Sequence, residues 1–73
     1  MTVQGHVLTP EELAMVQTVY KGIVRQNWFD RTVKNEQACA IIVLHYFQQG
    51  MIVESILARM CEGAAKERFR KPN

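Results

Sequence analysis

The chain has 73 residues, 48% of them hydrophobic, and nine Lys and Arg against seven Asp and Glu give a formal net charge of +2. That length holds one domain rather than two, and the apolar content excludes intrinsic disorder, which needs low hydrophobicity and high net charge. Two cysteines do not make a disulfide scaffold, and at this size a single core is marginal.

Met1 to Val7 carries neither the basic n-region nor the apolar h-region of a secretory signal, and with Leu8 it reads as an N-terminal arm. The clearest helix start follows. Thr9-Pro10-Glu11-Glu12 fits a capping box, in which the Thr hydroxyl accepts from an amide three residues on and the Glu carboxylate accepts in return from the Thr amide. Pro10 falls at the first helical position, where its missing N–H costs nothing. Leu8 and Leu13 have the spacing of a hydrophobic staple. Steps of about 100° place Leu13, Val16, Val19, Tyr20, Ile23 and Val24 on one face, with Lys21, Arg25 and Gly22 opposite. This first helix is predicted to end near Asn27 or Trp28.

Trp28 to Lys34 is a break. Trp28 and Phe29 are expected to plug one end of the core, and Asp30, Thr32 and Asn35 are all candidate caps for the next helix. That helix is predicted from Val33 or Asn35 to Gln49. Its β-branched Ile41-Ile42-Val43 suits a strand, but the apolar segment is too long, no second strand pattern exists to pair with it, and Gln48-Gln49-Gly50 supplies a helix stop. Ile42, Tyr46, Cys39, Val43, Phe47, Ala40 and Leu44 cover an arc of ~200°, twice what a helix packed on one side requires. Ile41 is stranded beyond that arc beside His45.

Gly50 and Met51 fit a Schellman ending. A third helix is predicted from Ile52 or Val53 to about Arg68, with Val53, Ile56, Leu57, Met60, Cys61 and Ala64 as its apolar stripe. Phe69 falls off that stripe and is assigned to a basic tail spanning 69–73. Lys66, Arg68, Arg70 and Lys71 suit the negative end of the helix dipole, and they are also the candidate anion contact of the chain. A solvated, frayed tail is the plainer expectation for them.

Catalytic and metal chemistry find little footing. His6, Cys39, His45 and Cys61 lack the close pairing of structural zinc ligands, and Cys39 and His45 lie ~240° apart around one helix. The acidic residues read as caps or solvated positions, the four glycines form no phosphate loop, and no nucleophile stands beside a base. No metal, no cofactor and no enzymatic activity are expected. A helix-turn-helix built on Gly50 would bury His45, Gln49 and Arg59, and its reading helix would present Glu54 and Glu62 to phosphates. Nucleic-acid association through the basic tail is therefore the alternative function rather than the leading one. The longest near-apolar run, Ala38 to Phe47, is about half the ~20 residues of a membrane span. Two cysteines among apolar neighbours are expected to be reduced core thiols, and the location expected is cytoplasmic.

Association is what remains. Two partner helices cannot hide the whole arc of the second helix together with Ile41, Met15 and Ile52. Burying ~600 Å2 of apolar surface between two copies would contribute on the order of 15 kcal/mol before the costs of association. Ile41, Ile42, His45, Tyr46, Met15 and Ile52 are the predicted interaction surface. The competing expectation is a monomer in which Trp28, Phe29 and the arm from Val3 to Leu8 fill the arc.

Leu8-Thr9-Pro10-Glu11-Glu12-Leu13, the Phe47-Gln48-Gln49-Gly50 stop and a third amphipathic helix resemble the layout of small all-helical bacterial proteins of unknown function. The resemblance runs from Leu8 to Met60 and implies a helical fold, with no catalytic or binding residue to carry across. The sequence thus predicts an all-α three-helix bundle, a homodimer centred on the second helix, and a non-catalytic role in protein interaction or regulation.

Overall fold

A computed structural model of the chain describes residues 8–72. Among these residues it forms three helices: α1 (Pro10–Val24), α2 (Val33–Gln48) and α3 (Glu54–Phe69). Each helix packs on the other two, so the all-α three-helix bundle predicted from the sequence is the fold. The part of the N-terminal arm from Met1 to Val7, with His6, lies outside the described residues.

The capping signals act as their chemistry requires. Thr9 Oγ1 accepts from the Glu12 N–H at 3.2 Å, and Glu12 Oε1 accepts from the Thr9 N–H at 2.9 Å. A Thr9→Ala change therefore leaves a helix-start amide without its acceptor. It is expected to cost ~1 kcal/mol and, by the scaling for domains of this size, to lower the melting temperature by about 4–8 °C. Thermal unfolding followed by circular dichroism checks this, and an unchanged midpoint would remove the capping box from the account.

α1 ends at Val24, three or four residues before the predicted end. Gln26 N–H donates to the Ile23 carbonyl and Phe29 N–H to the Gln26 carbonyl, both at 3.1 Å, so the chain tightens into turns. The turns bring Phe29 into the core at 1% exposure. Of the three candidate caps of α2, Thr32 is the one that caps it. It accepts from the Asn35 N–H at 3.0 Å, while Asn35 Nδ2 donates to the Asp30 carbonyl at 2.8 Å. At the far end Gly50 has φ +104°, Gly50 N–H donates to the Phe47 carbonyl, and Met51 N–H donates to the Tyr46 carbonyl. That pair of bonds is the predicted Schellman ending, and Met51 folds back onto the core.

α3 is turned about its axis relative to the prediction. Its buried residues are Leu57, Cys61, Ala65 and Phe69. Leu57 and Cys61 were in the predicted stripe, but Ile56 and Met60 stay 50% and 42% exposed, and Val53 lies before the helix with its side chain outside the core. Phe69 explains the rotation. An aromatic ring carries a large apolar area, and this one packs on Phe29 with ring centroids 5.6 Å apart. Phe69 is thus part of the core and not of the tail. The chain after it is also held. Asp30 N–H donates to the Phe69 carbonyl at 2.7 Å, and Lys71 N–H donates to the Trp28 carbonyl at 2.8 Å. This short antiparallel bridge between Phe29 and Arg70 replaces the frayed tail expected from composition.

The core runs through the bundle from Phe47, near the α2–α3 turn, to Phe29 and Phe69 at the opposite end of these helices. Val43, Leu57, Cys61 and Ala65 are completely enclosed. In α1, Val16, Val19, Ile23 and Val24 are buried as predicted and Tyr20 is half-buried. Leu8 reaches the core, whereas Leu13 stays largely exposed. No charged side chain is buried among the described residues.

Candidate functional site

α2 is not enclosed by its neighbours. Cys39, Val43 and Phe47 are its only fully buried residues among those described. Ile42 and Tyr46, one turn apart, are half-buried, and Ile41 and His45 beside them are exposed. These four residues form one wall of a groove of about 380 Å3, and Ala64 and Arg68 of α3 form the other. A second hollow of about 320 Å3 continues from it past Tyr46 and Ala64 to Met60, Gly63 and Glu67. The His45 and Tyr46 rings meet edge-on, with centroids 5.9 Å apart.

The buried residues of the two helices, Cys39, Val43 and Phe47 of α2 and Leu57, Cys61, Ala65 and Phe69 of α3, are both rows spaced by four. Ile41, Ile42, His45 and Tyr46 on α2 and Ala64 and Arg68 on α3 flank those rows and line the groove.

The six residues of the predicted interaction surface line two different hollows. Ile41, Ile42, His45 and Tyr46 line the α2–α3 groove. Met15 and Ile52 line a separate hollow of about 270 Å3 with Glu11, Glu12 and Phe47. Met15 lines that hollow from α1, at the Phe47 end of the bundle. In place of those two, the α2–α3 seam recruits Met60, Ala64 and Arg68, which the sequence had placed in the core stripe or the tail. A visible signal existed. Ile52, Ile56 and Met60 form a second apolar row spaced by four, parallel to Leu57-Cys61-Ala65-Phe69, and one helix cannot bury both rows in a three-helix bundle.

The four cations of the predicted anion contact are held in different settings. Lys66 Nζ lies 5.6 Å from the centroid of the Trp28 ring and 4.0 Å from Glu62. Arg68 lies on the α2–α3 groove, and Arg70 and Lys71 are exposed on the bridged segment.

The thiols of Cys39 and Cys61 are buried and free. Burial, and secondarily the neighbouring Cys61, pushes the Cys39 thiol up to about 11, and burial alone does the same for Cys61. Such thiols are poor nucleophiles and poor metal ligands near neutral pH, because both roles require the thiolate. Among the described residues no three His, Cys, Asp or Glu side chains cluster to hold a metal ion. Among the same residues no helix is long and apolar enough to cross a membrane.

Comparison of the chain with protein-family models, with curated proteins and with solved structures finds no match. The functional reading therefore rests on the geometry of the α2–α3 seam.

Proposed function

We propose that this protein is a small, non-catalytic helical module for protein interaction or regulation that acts as a homodimer through its α2–α3 face. One observation carries the reading. The two helices present Ile41 and Met60 to solvent, beside the half-buried Ile42 and Tyr46, along a continuous groove. Scattered apolar side chains are normal on a surface, but a contiguous patch marks a contact. A small domain gains the burial it lacks by associating, and a two-fold dimer needs only one self-complementary patch. Contact with nucleic acid through Lys66, Arg68, Arg70 and Lys71 draws less support, because Lys66 is engaged by Trp28 and Glu62 and Arg68 lies on the apolar groove.

Sedimentation velocity tests the reading. The wild type is expected to sediment as a dimer at micromolar concentration, and Ile41→Lys, at a position already 66% exposed, is expected to give a folded monomer. A wild type that remains an 8.4 kDa species over the whole concentration range would end the homodimer reading.

A further inference from the structure

Resting on that association reading, we infer that the second copy docks with its α3 antiparallel to this one, crossing at Gly63, so that Arg59 of each copy pairs with Glu67 of the other. Arg59, Gly63 and Glu67 follow one another every four residues along the outer line of α3, and all three are exposed. Arg59 and Glu67 stand about 12 Å apart along the helix at 1.5 Å per residue, with Gly63 midway. Both charges border the hollow that contains Met60 and Ala64. Among the described residues neither has an ion-pair partner, whereas Glu62, Lys66, Arg31 and Glu36 are paired.

The order of the two charges selects the orientation. In a parallel pair centred on Gly63, Arg59 would face Arg59 and Glu67 would face Glu67. In an antiparallel two-fold pair each Arg59 faces a Glu67, twice by symmetry. Charges flanking an apolar seam set the direction of helix pairs in this way. The helix dipoles are also opposed in this arrangement, which is their favourable alignment.

The same register seats an apolar side chain. If residue 63 faces 63, then 60 faces 66, and Met60 of one copy arrives midway between Ala64 and Arg68 of the other. Those two residues form the α3 wall of the groove whose other wall is Ile41, Ile42, His45 and Tyr46. Met is the unbranched, adaptable side chain that fills such an irregular space. Gly63 acquires a reason as well. A Cβ built at Gly63 meets nothing within 4 Å in its own chain, so the fold of one copy does not require a glycine there. A crossing that brings two backbones together at that point does.

The experiment reverses each charge and mixes the products. Arg59→Glu and Glu67→Arg are expected each to weaken self-association at least tenfold, with unchanged helicity, since both side chains are exposed. An equimolar mixture of the two variants is expected to form a heterodimer within about threefold of wild-type affinity, because every facing pair is again opposite in sign. Gly63→Gln should weaken the dimer by a similar factor, and Gly22→Gln, at another helical glycine with open space around it, should not. If the wild type dimerises and the charge variants dimerise equally well, or if the mixture fails to associate, the antiparallel α3 contact is wrong while the homodimer reading stands. If the wild type is monomeric at all concentrations, both fall together.

Discussion

Replacing Phe69 by alanine is expected to remove about 3–5 kcal/mol of stability, the range for deleting a buried aromatic ring. Phe69 is 7% exposed and lies against Phe29, itself 1% exposed and in tilted contact with Trp28. Deleting its ring opens a void where α3, the α1–α2 connection and the C-terminal bridge meet. The loss is disproportionate for so small a domain, whose total stability should be on the order of 4–11 kcal/mol by the usual per-residue range. Urea unfolding followed by circular dichroism should show a midpoint shifted far toward zero denaturant. Arg70→Ala, which removes an exposed side chain next to the same bridge, should shift the midpoint little. If the two substitutions had comparable small effects, Phe69 would be a tail residue, as its place on a straight helical wheel suggests.

That wheel shows where the sequence is legible and where it is not. The start of α1 and the end of α2 could be read because their signals are local: Thr9 and Glu12, Pro10, and Gly50 with Met51 act on amides and carbonyls within a turn or two of themselves. The buried face of α1 could be read because α1 is clearly two-sided. α3 offered two apolar rows, Ile52-Ile56-Met60 and Leu57-Cys61-Ala65-Phe69, and the choice between them depends on a residue distant in sequence. Phe29 lies in the α1–α2 connection, and only the assembled bundle brings it within 5.6 Å of Phe69. A row spaced by four also drifts about 40° around the helix at each step, since 400° exceeds a full circle by that much. Phe69 therefore ends far from Leu57 on a flat projection while remaining in the same ridge. Ile42 and Tyr46 of the candidate site could be picked out for the opposite reason: they belong to an arc of ~200°, twice what a helix packed on one side requires. The site's α3 half, with Met60 and Ala64, was hidden by the same misjudged rotation that misplaced Phe69.

Stability is expected to fall steeply between pH 9 and pH 11, through the two core thiols. Cys39 and Cys61 are raised in the native state from an ordinary 9.0 to about 11, with burial as the leading cause at both. A group with a raised folded-state pKa contributes fully below its unfolded value and loses that contribution as the pH climbs to the folded one. Below pH 9 both states hold the thiols protonated, and these groups give no pH dependence. Between 9 and 11 the unfolded chain releases two protons that the native bundle retains. Each thiol then costs about 1.4 kcal/mol per pH unit, together on the order of 5 kcal/mol across the window. Tyr20, half-buried and raised by burial and then by the nearby Glu36 and Cys39 despite Arg31, adds to the same trend at its upper end. Urea unfolding under reducing conditions at pH 8, 9, 10 and 11 measures the slope. Cys39→Ala provides the decisive comparison: its cavity cost is the same at every pH, so the variant should be less stable at pH 8 yet decline about half as steeply above pH 9. A wild-type stability that stays level to pH 11 would mean that the thiolates are tolerated inside the bundle, and the enclosed α2–α3 core described by Cys39, Val43 and Cys61 would have to be open to water.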